Sequence, residues 1–164
     1  MPLSESSEFR VEKARASAAI TFTNGASAVG CFFVAQASPT STGPERVAEL
    51  LNSVSGFFPF EVTEADGRPR AVLYNRDQVV MVALPGDEAA RDPGYAVATV
   101  RTVSVLLTDG RRILGTVRVY RPHGRDRLSD WARHGERFRY VETRDATLIV
   151  NVDQVIEVHE VLEA

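Results

Sequence analysis

A strand–turn–strand pattern over residues 103–119 constrains the fold of this chain more than any other feature. Apolar residues alternate with polar ones on both sides of an Asp109-Gly110 dipeptide; they are Val103, Val105, Leu107, Val117 and Val119. A period of two indicates a strand with one buried face, and Asp-Gly supplies the positive φ angles of a tight hairpin turn. Leu114 lies one step out of phase, and Gly115 is expected to mark a bend or bulge. The segment is therefore predicted to be a curled β-hairpin.

The same pattern occurs a second time, over residues 20–34. Asn24-Gly25 corresponds to Asp109-Gly110, and Gly30 corresponds to Gly115. Later elements recur in the same order. They are an apolar helical stripe (Val47, Leu50, Leu51 and Leu128, Trp131, Ala132), a strand that begins with phenylalanine (Phe57 and Phe138), and a final Asn-x-Asp-Gln strand (Asn75–Val82 and Asn151–Val158). The spacing between copies shrinks along the chain through changes in the loops, where insertions cost little free energy. The sequence thus predicts a duplicated unit.

Each copy is predicted to contain five short antiparallel strands with a short helix between the second and third. Curved strands of this kind favour a small barrel, because closure removes exposed strand edges. The predicted class is mainly β, with two units at residues 18–84 and 95–164. The Pro-, Gly- and charge-rich segment 85–94 is predicted to link them, and residues 1–17 form a lead-in that is either frayed or a short helix.

The two motifs of each copy resemble those of the Sm-like family. Val103–Val117, with Asp-Gly-Arg at its turn, is similar to the first Sm motif, and Leu148–Val158 is similar to the second. The resemblance implies two tandem Sm-like, SH3-like small barrels. It also implies rings built by pairing edge strands, and for many family members single-stranded RNA at the inner rim. The usual base-binding residues are replaced by Tyr120–His123, and the Arg-Gly of the last turn is replaced in both copies, so the RNA site is not expected to be inherited.

Charge is distributed unevenly along the chain. The net charge is −3, yet residues 101–144 carry eleven arginines against five acidic residues. One interpretation is an anion-binding face, which makes RNA or nucleotide binding the alternative function. The other, which we favour, is that these arginines point outward from strands and pair with neighbouring acids.

Two polar patterns are candidate binding sites. The repeated Asn75-x-Asp77-Gln78 and Asn151-x-Asp153-Gln154 contact either a ligand or, as we favour, their own tight turns. The basic loop before the second helix, with Asp126 as the expected N-cap, offers an anion site; its candidates are Arg121, His123, Arg125 and Arg127. Its alternative is a solvated loop in which Arg127 pairs with Asp130.

Other classes of function find no support in the residues. Cys31 is the only cysteine, the three histidines lack metal-ligand spacing, and no phosphate loop or nucleophile elbow is present. No apolar run reaches the length of a membrane span, and the polar N-terminus is unlike a signal peptide. We therefore expect a cytoplasmic, non-enzymatic interaction or assembly module without metal or cofactor. Its expected partner is a protein, or a second copy bound through strand edges.

Overall fold

The computed structural model describes residues 13–40, 42–120, 122, 124, 126–133 and 135–162. The strands are β1 (Lys13–Phe22), β2 (Ser27–Ala35), β3 (Phe57–Thr63), β4 (Pro69–Asn75), β5 (Val79–Leu84), β6 (Thr99–Leu107), β7 (Arg112–Val119), β8 (Phe138–Glu142), β9 (Thr147–Asn151) and β10 (Val155–Glu160). The α-helices are α1 (Val47–Ser53) and α2 (Leu128–Arg133), and short 3₁₀ turns span Arg76–Gln78, Glu88–Arg91, Tyr95–Val97 and Val152–Gln154. The predicted mainly β class is confirmed, but the predicted closure of the strands into two separate small barrels is not. No helix among these residues is long and apolar enough to cross a bilayer.

All ten strands of the described chain lie in one open antiparallel sheet. Its order is β10-β6-β7-β8-β9-β5-β1-β2-β3-β4. The first half of the chain contributes β5-β1-β2-β3-β4 and the second contributes β10-β6-β7-β8-β9, so the order within the two halves is the same. The halves join where β5 pairs with β9. We call this β5–β9 pairing the inner junction.

The two predicted hairpins form, but their turns differ in detail from the prediction. Only the glycines take positive φ, at 86° for Gly25 and 90° for Gly110. The preceding Asn24 and Asp109 stay out of the left-handed region and instead accept a main-chain hydrogen bond two residues on, at 2.9 Å in each hairpin. The expectation that both turn residues adopt positive φ was therefore wrong, because an Asx side chain stabilises the turn without it.

Gly30 and Gly115 allow the next strand to approach closely. A Cβ atom on Gly30 would lie 1.9 Å from the carbonyl oxygen of Glu61, and one on Gly115 would lie 2.6 Å from that of Glu142. Both distances are far shorter than van der Waals contact. The second strand of each half can therefore cross its neighbour only because these positions carry no side chain.

Several element boundaries differ from the sequence prediction. β1 begins at Lys13, so residues 13–17 are strand and not lead-in. Helix α1 begins at Val47, after Pro44, and α2 begins after Arg127 and not directly after the expected cap Asp126. The Asp126 carboxylate accepts a hydrogen bond from Thr99 Oγ1 at 2.8 Å instead.

On β7 the side chain that faces the core is Ile113, which is 9 % exposed, whereas Leu114 is 64 % exposed. This assignment follows from the unbroken pairing of β6 with β7, in which Val105 lies opposite Ile113. Leu114, which the sequence pattern left out of phase, therefore points away from the core.

The two hydrophobic cores exchange side chains across the inner junction. Phe138 and Ile149 of the second half pack in the core of the first, and Val80 of the first half packs in the core of the second. All three are at most 1 % exposed. The halves are thus held together by shared apolar packing as well as by strand pairing.

Candidate functional site

The inner junction is built on backbone pairing with a defined register. Val82 lies opposite Ile149, and Ala83 lies opposite Leu148. β9 is buried along its whole length and β5 along most of its own. Because both strands are covered on both faces, the junction resembles the interior of a sheet and not a contact between two surfaces.

Asn151 lies at the end of this junction and is fully buried. Its Nδ2 donates to the carbonyl oxygen of Val79 at 2.8 Å, which ties β9 to β5. Its Oδ1 accepts from the main-chain N–H of Asp153 at 3.0 Å and from Arg137 Nε at 3.2 Å. A buried amide with these partners has little unpaired polar surface. One predicted site residue therefore performs two structural tasks, capping a turn and joining the halves.

Arg137 connects the two predicted Asn-x-Asp patterns. Its guanidinium contacts Asp77 of the first half at 2.7 Å and Asp153 of the second half at 2.9 Å. The arginine side chain is one-quarter exposed, and both carboxylates are more than half exposed. Opposite charges at these distances attract each other, and the bridge holds the two turns side by side.

A second polar contact closes the junction from the helix side. Asn52 on α1 donates from Nδ2 to the carbonyl oxygen of Phe138 at 2.9 Å and accepts from the Phe138 main-chain N–H at 2.8 Å. The amide thereby satisfies both backbone groups of a residue in the other half of the chain.

The candidate residues fall into three groups. Asn75 caps its turn as Asn151 does, accepting from the Asp77 main-chain N–H at 2.9 Å. Arg121, His123 and Arg125 lie outside the described residues. Arg127 is exposed, and its main-chain N–H, not its guanidinium, contacts Asp130 Oδ2, at 3.0 Å. The structure thus joins the two Asn-x-Asp patterns through Asp77 and Asp153.

Arg137 and Asn52 are residues that sequence reasoning missed. The corresponding positions in the other copy carry Gly56 and Arg133, so the repeat gives no signal for either. Their role depends on contacts 60 and 86 residues apart in the chain. Only the spatial arrangement of the halves reveals them.

Many arginines of the 101–144 stretch are in ion pairs. Five of the eleven have a carboxylate partner among the described residues: Arg101, Arg111, Arg112, Arg118 and Arg137. A paired arginine offers less attraction to a phosphate. This pairing agrees with the interpretation that we favoured from the sequence.

The outer edges of the sheet, β4 and β10, each have a strand neighbour on one side only within the described chain. Two positions on these edge strands carry large exposed apolar side chains: Leu73 on β4 at 66 % and Ile156 on β10 at 63 %. Phe57, on the neighbouring strand β3, is 58 % exposed. The counterparts of Leu73 and Ile156 on the inner-junction strands are Ile149 and Val80, both 0 % exposed, and the counterpart of Phe57 on β8 is Phe138, which is 1 % exposed. Equivalent positions are therefore buried where the two halves meet and exposed at or beside the outer edges of the sheet.

One further pair of equivalent positions behaves differently. Val29 and its counterpart Leu114 are 72 % and 64 % exposed, so both copies leave this position in solvent. Exposure of a large apolar residue is ordinary when it occurs singly. At this position, which lies away from the junction, the two copies therefore behave alike.

A cleft of about 780 Å³ lies beside the inner junction, between α1 on one side and α2 and β8 on the other. On the α1 side, Arg46 contacts Glu49 at 2.9 Å and also pairs with Asp92. Burial would raise the pKa of Glu49, but hydrogen bonds from Thr40, from Arg46 and from Ser38 outweigh it and lower that pKa to about 2. Glu49 is thus held ionised beside the arginine.

The segment 85–94 packs against the same helix. The Glu88 carboxylate accepts from the main-chain N–H groups of Val47 and Ala48 at 3.0 and 3.2 Å, and from the Tyr140 hydroxyl at 3.0 Å. Burial, reinforced by the Glu88 charge, raises the pKa of Tyr140 well above its ordinary value. The segment predicted to be a linker is therefore ordered, and its Glu88 connects α1 to β8 through hydrogen bonds.

Within the described residues, no group of three or more His, Cys, Asp or Glu side chains is arranged to hold a metal ion. Comparison of the chain with protein-family models, with curated proteins and with solved structures finds no match in any of the three.

Proposed function

We propose that this chain is a non-enzymatic assembly module, made of two Sm-like units, that associates head to tail with further copies of itself. In this proposal, β4 of one copy pairs with β10 of the next in the way that β9 pairs with β5 inside each chain. The observation that carries it is the exposure of Leu73 on β4 and Ile156 on β10 at positions that are buried at the inner junction.

The Sm-like identity is supported by the strand order and by the close crossing of the second and third strands. Both halves follow the order fifth, first, second, third, fourth strand, and both second strands have a glycine where the third crosses closely. Together with the Asp-Gly-Arg turn and the paired last strands, these features favour the resemblance that the sequence motifs suggested.

The proposed outer contact has a definite register. Equivalence with the inner pairs places Leu73 opposite Val158 of the next copy, and Val72 opposite His159. Burying an exposed aliphatic side chain there contributes about 1–2 kcal/mol, and backbone pairing removes unpaired edge groups. Because the two edges differ, the contact is heterologous. Copies then form a closed ring if the rotation that relates one copy to the next divides a full turn, and a filament if it does not.

The decisive experiment measures mass in solution by light scattering and native mass spectrometry over a range of protein concentrations. The wild-type chain should form multimers. Leu73→Lys and Ile156→Lys should each abolish them, because a charge would be buried at the contact. Val29→Lys is the matched control, since this equally exposed position lies away from both edges, and it should leave assembly unchanged.

Mixing the two edge variants tests the head-to-tail geometry directly. Leu73→Lys retains an intact β10, and Ile156→Lys retains an intact β4. The mixture should therefore form a one-to-one dimer that cannot grow, while each variant alone stays monomeric. A monomeric wild-type chain at high concentration would overturn the proposal, and so would an assembly that neither variant disrupts.

Binding of RNA or a nucleotide by the arginine-rich half remains the alternative. Copurified nucleic acid, and an affinity for an RNA oligomer that falls steeply with salt, would favour it. The ion pairs of the five arginines reduce its support.

A further inference from the structure

The cleft beside the inner junction has the dimensions of a small-molecule site. Its volume of about 780 Å³ falls within the range of about 300–1,000 Å³ typical of ligand pockets, which often lie where two structural units meet. It is formed within a single chain, so it does not depend on the proposed assembly.

Four aromatic residues are among those that line the cleft. They are Tyr120, Trp131, Phe138 and Tyr140. Phe138 is 1 % exposed and packs into the core, so it presents almost no surface to the cleft, whereas Trp131 is 8 % exposed and Tyr120 is 45 % exposed. Rigid aromatic surfaces at low conformational cost are favourable contacts for a planar ligand.

Two of the three arginines that line the cleft are neutralised by carboxylates. Arg46 is paired with Glu49 and Asp92, and Arg118 contacts Glu142 at 3.0 Å. Neither has its charge available to a ligand without breaking an ion pair.

Arg139 differs from these two. Its guanidinium donates to the main-chain carbonyl oxygens of Trp131 and Glu136 and lies over the Trp131 ring, 5.1 Å from its centroid. No carboxylate among the described residues lies within ion-pair distance of it. Burial also lowers the pKa of Arg139, and the charge of Glu136, which lines the same cleft, offsets this effect only in part. An anion that entered the cleft would place a negative charge within ion-pair distance of this guanidinium.

We propose that this cleft binds a small aromatic anion, whose anionic group pairs with Arg139 and whose ring packs against the aromatic wall. The remaining N–H donors of a guanidinium suit the oxygens of a carboxylate, sulfonate or phosphate group. The two requirements, charge and ring, exclude inorganic anions and neutral aromatics as good ligands.

Fluorescence offers a direct measurement, because Trp131 is the only tryptophan of the chain. The probe is 1-anilinonaphthalene-8-sulfonate, an aromatic sulfonate that emits in apolar surroundings, and its neutral counterpart is N-phenyl-1-naphthylamine. The sulfonate should bind saturably, with one molecule per chain, and should quench Trp131. Benzoate and phenyl phosphate should compete with it, and their relative strength shows whether the site prefers a carboxylate or a phosphate.

Variants test the role of the charge. Arg139→Gln should weaken sulfonate binding about tenfold or more, since a charge-assisted hydrogen bond is lost. It should leave binding of the neutral amine unchanged, and Arg139→Lys should recover part of the affinity. Arg133→Gln, an exposed arginine on α2, is the matched control and should bind as the wild type does.

Three results would overturn the proposal: unsaturable binding, equal affinity of the wild type for the charged and neutral probes, or an Arg139→Gln variant that retains full sulfonate affinity. If Arg139→Gln fails to fold, the wild-type preference for the charged probe decides alone. Repeating the titration on the Leu73→Lys variant separates this site from the outer edges, because blocking assembly should leave the cleft affinity unchanged.

Discussion

Replacing Gly30 by alanine should destabilise this fold far more than an added methyl group ordinarily does. The new Cβ would lie 1.9 Å from the Glu61 carbonyl oxygen and 2.9 Å from the Phe60 ring. Ordinary contact begins at 3.4 Å, so β2 and β3 would have to separate locally by about 1.5 Å. The obstacle is main chain, which cannot rotate away as a flexible side chain can.

The magnitude follows from what that separation breaks. Overpacking a core by a methyl group typically costs about 1–3 kcal/mol. Here the displacement also disturbs the pairing of β2 with β3, so we expect a loss of at least about 3 kcal/mol, a large part of the 5–15 kcal/mol typical of a domain. Gly115→Ala requires a smaller shift of about 0.8 Å from its 2.6 Å contact, and should cost less.

Chemical unfolding followed by circular dichroism measures these differences as shifts of the midpoint at constant slope. Gly86→Ala is the matched control, because a Cβ there has no neighbour within 4 Å and the residue lacks a positive φ. Gly86→Ala should be as stable as the wild type within about 0.5 kcal/mol. Gly115→Ala should be less stable, and Gly30→Ala should be the least stable of the three variants. A Gly30→Ala variant as stable as the control would refute the close crossing of the strands.

Two further predictions concern charged groups. Arg137→Met should lower the free energy of unfolding by about 1–2 kcal/mol, because it leaves Asp77 and Asp153 side by side without their bridge. The control is Arg68→Met, at an arginine that is 85 % exposed, which should change the free energy of unfolding by less than about 0.5 kcal/mol. Equal effects of the two substitutions would contradict the bridge. The pKa of Glu49 is lowered from 4.5 to about 2 on folding, so its ionised form should contribute on the order of 2 kcal/mol of stability above pH 4.5, and this contribution should be lost as the pH falls toward 2. Urea titrations at successive pH values should therefore show the stability difference between the wild type and Glu49→Gln shrinking between pH 4.5 and 2. A difference that stays constant over this pH range would contradict the prediction.

Local features of this fold were predictable from the residues themselves. Alternation of apolar side chains places the strands, and Asn24-Gly25 and Asp109-Gly110 place the hairpins, because both signals depend on neighbours in sequence. The duplication was also visible, since equivalent turns repeat their residues. Helix starts were less well placed. Arg46 and Arg127 precede the helices, and the acidic residue three positions later, not a conventional cap, accepts the N-terminal hydrogen bond.

The tertiary structure alone decided how the halves meet. Nothing in the pattern of β5 or β9 distinguishes a partner in the same chain from one in another copy, because an unpaired strand edge presents the same backbone groups to either. Arg137 and Asn52 act across 60 and 86 residues of chain, where sequence spacing carries no information on distance. The cleft, and the place of Arg139 in its wall, likewise exist only once α1 lies opposite α2 and β8. Sequence determines what each segment can pair with, and the geometry of the folded chain determines which of those pairings is made.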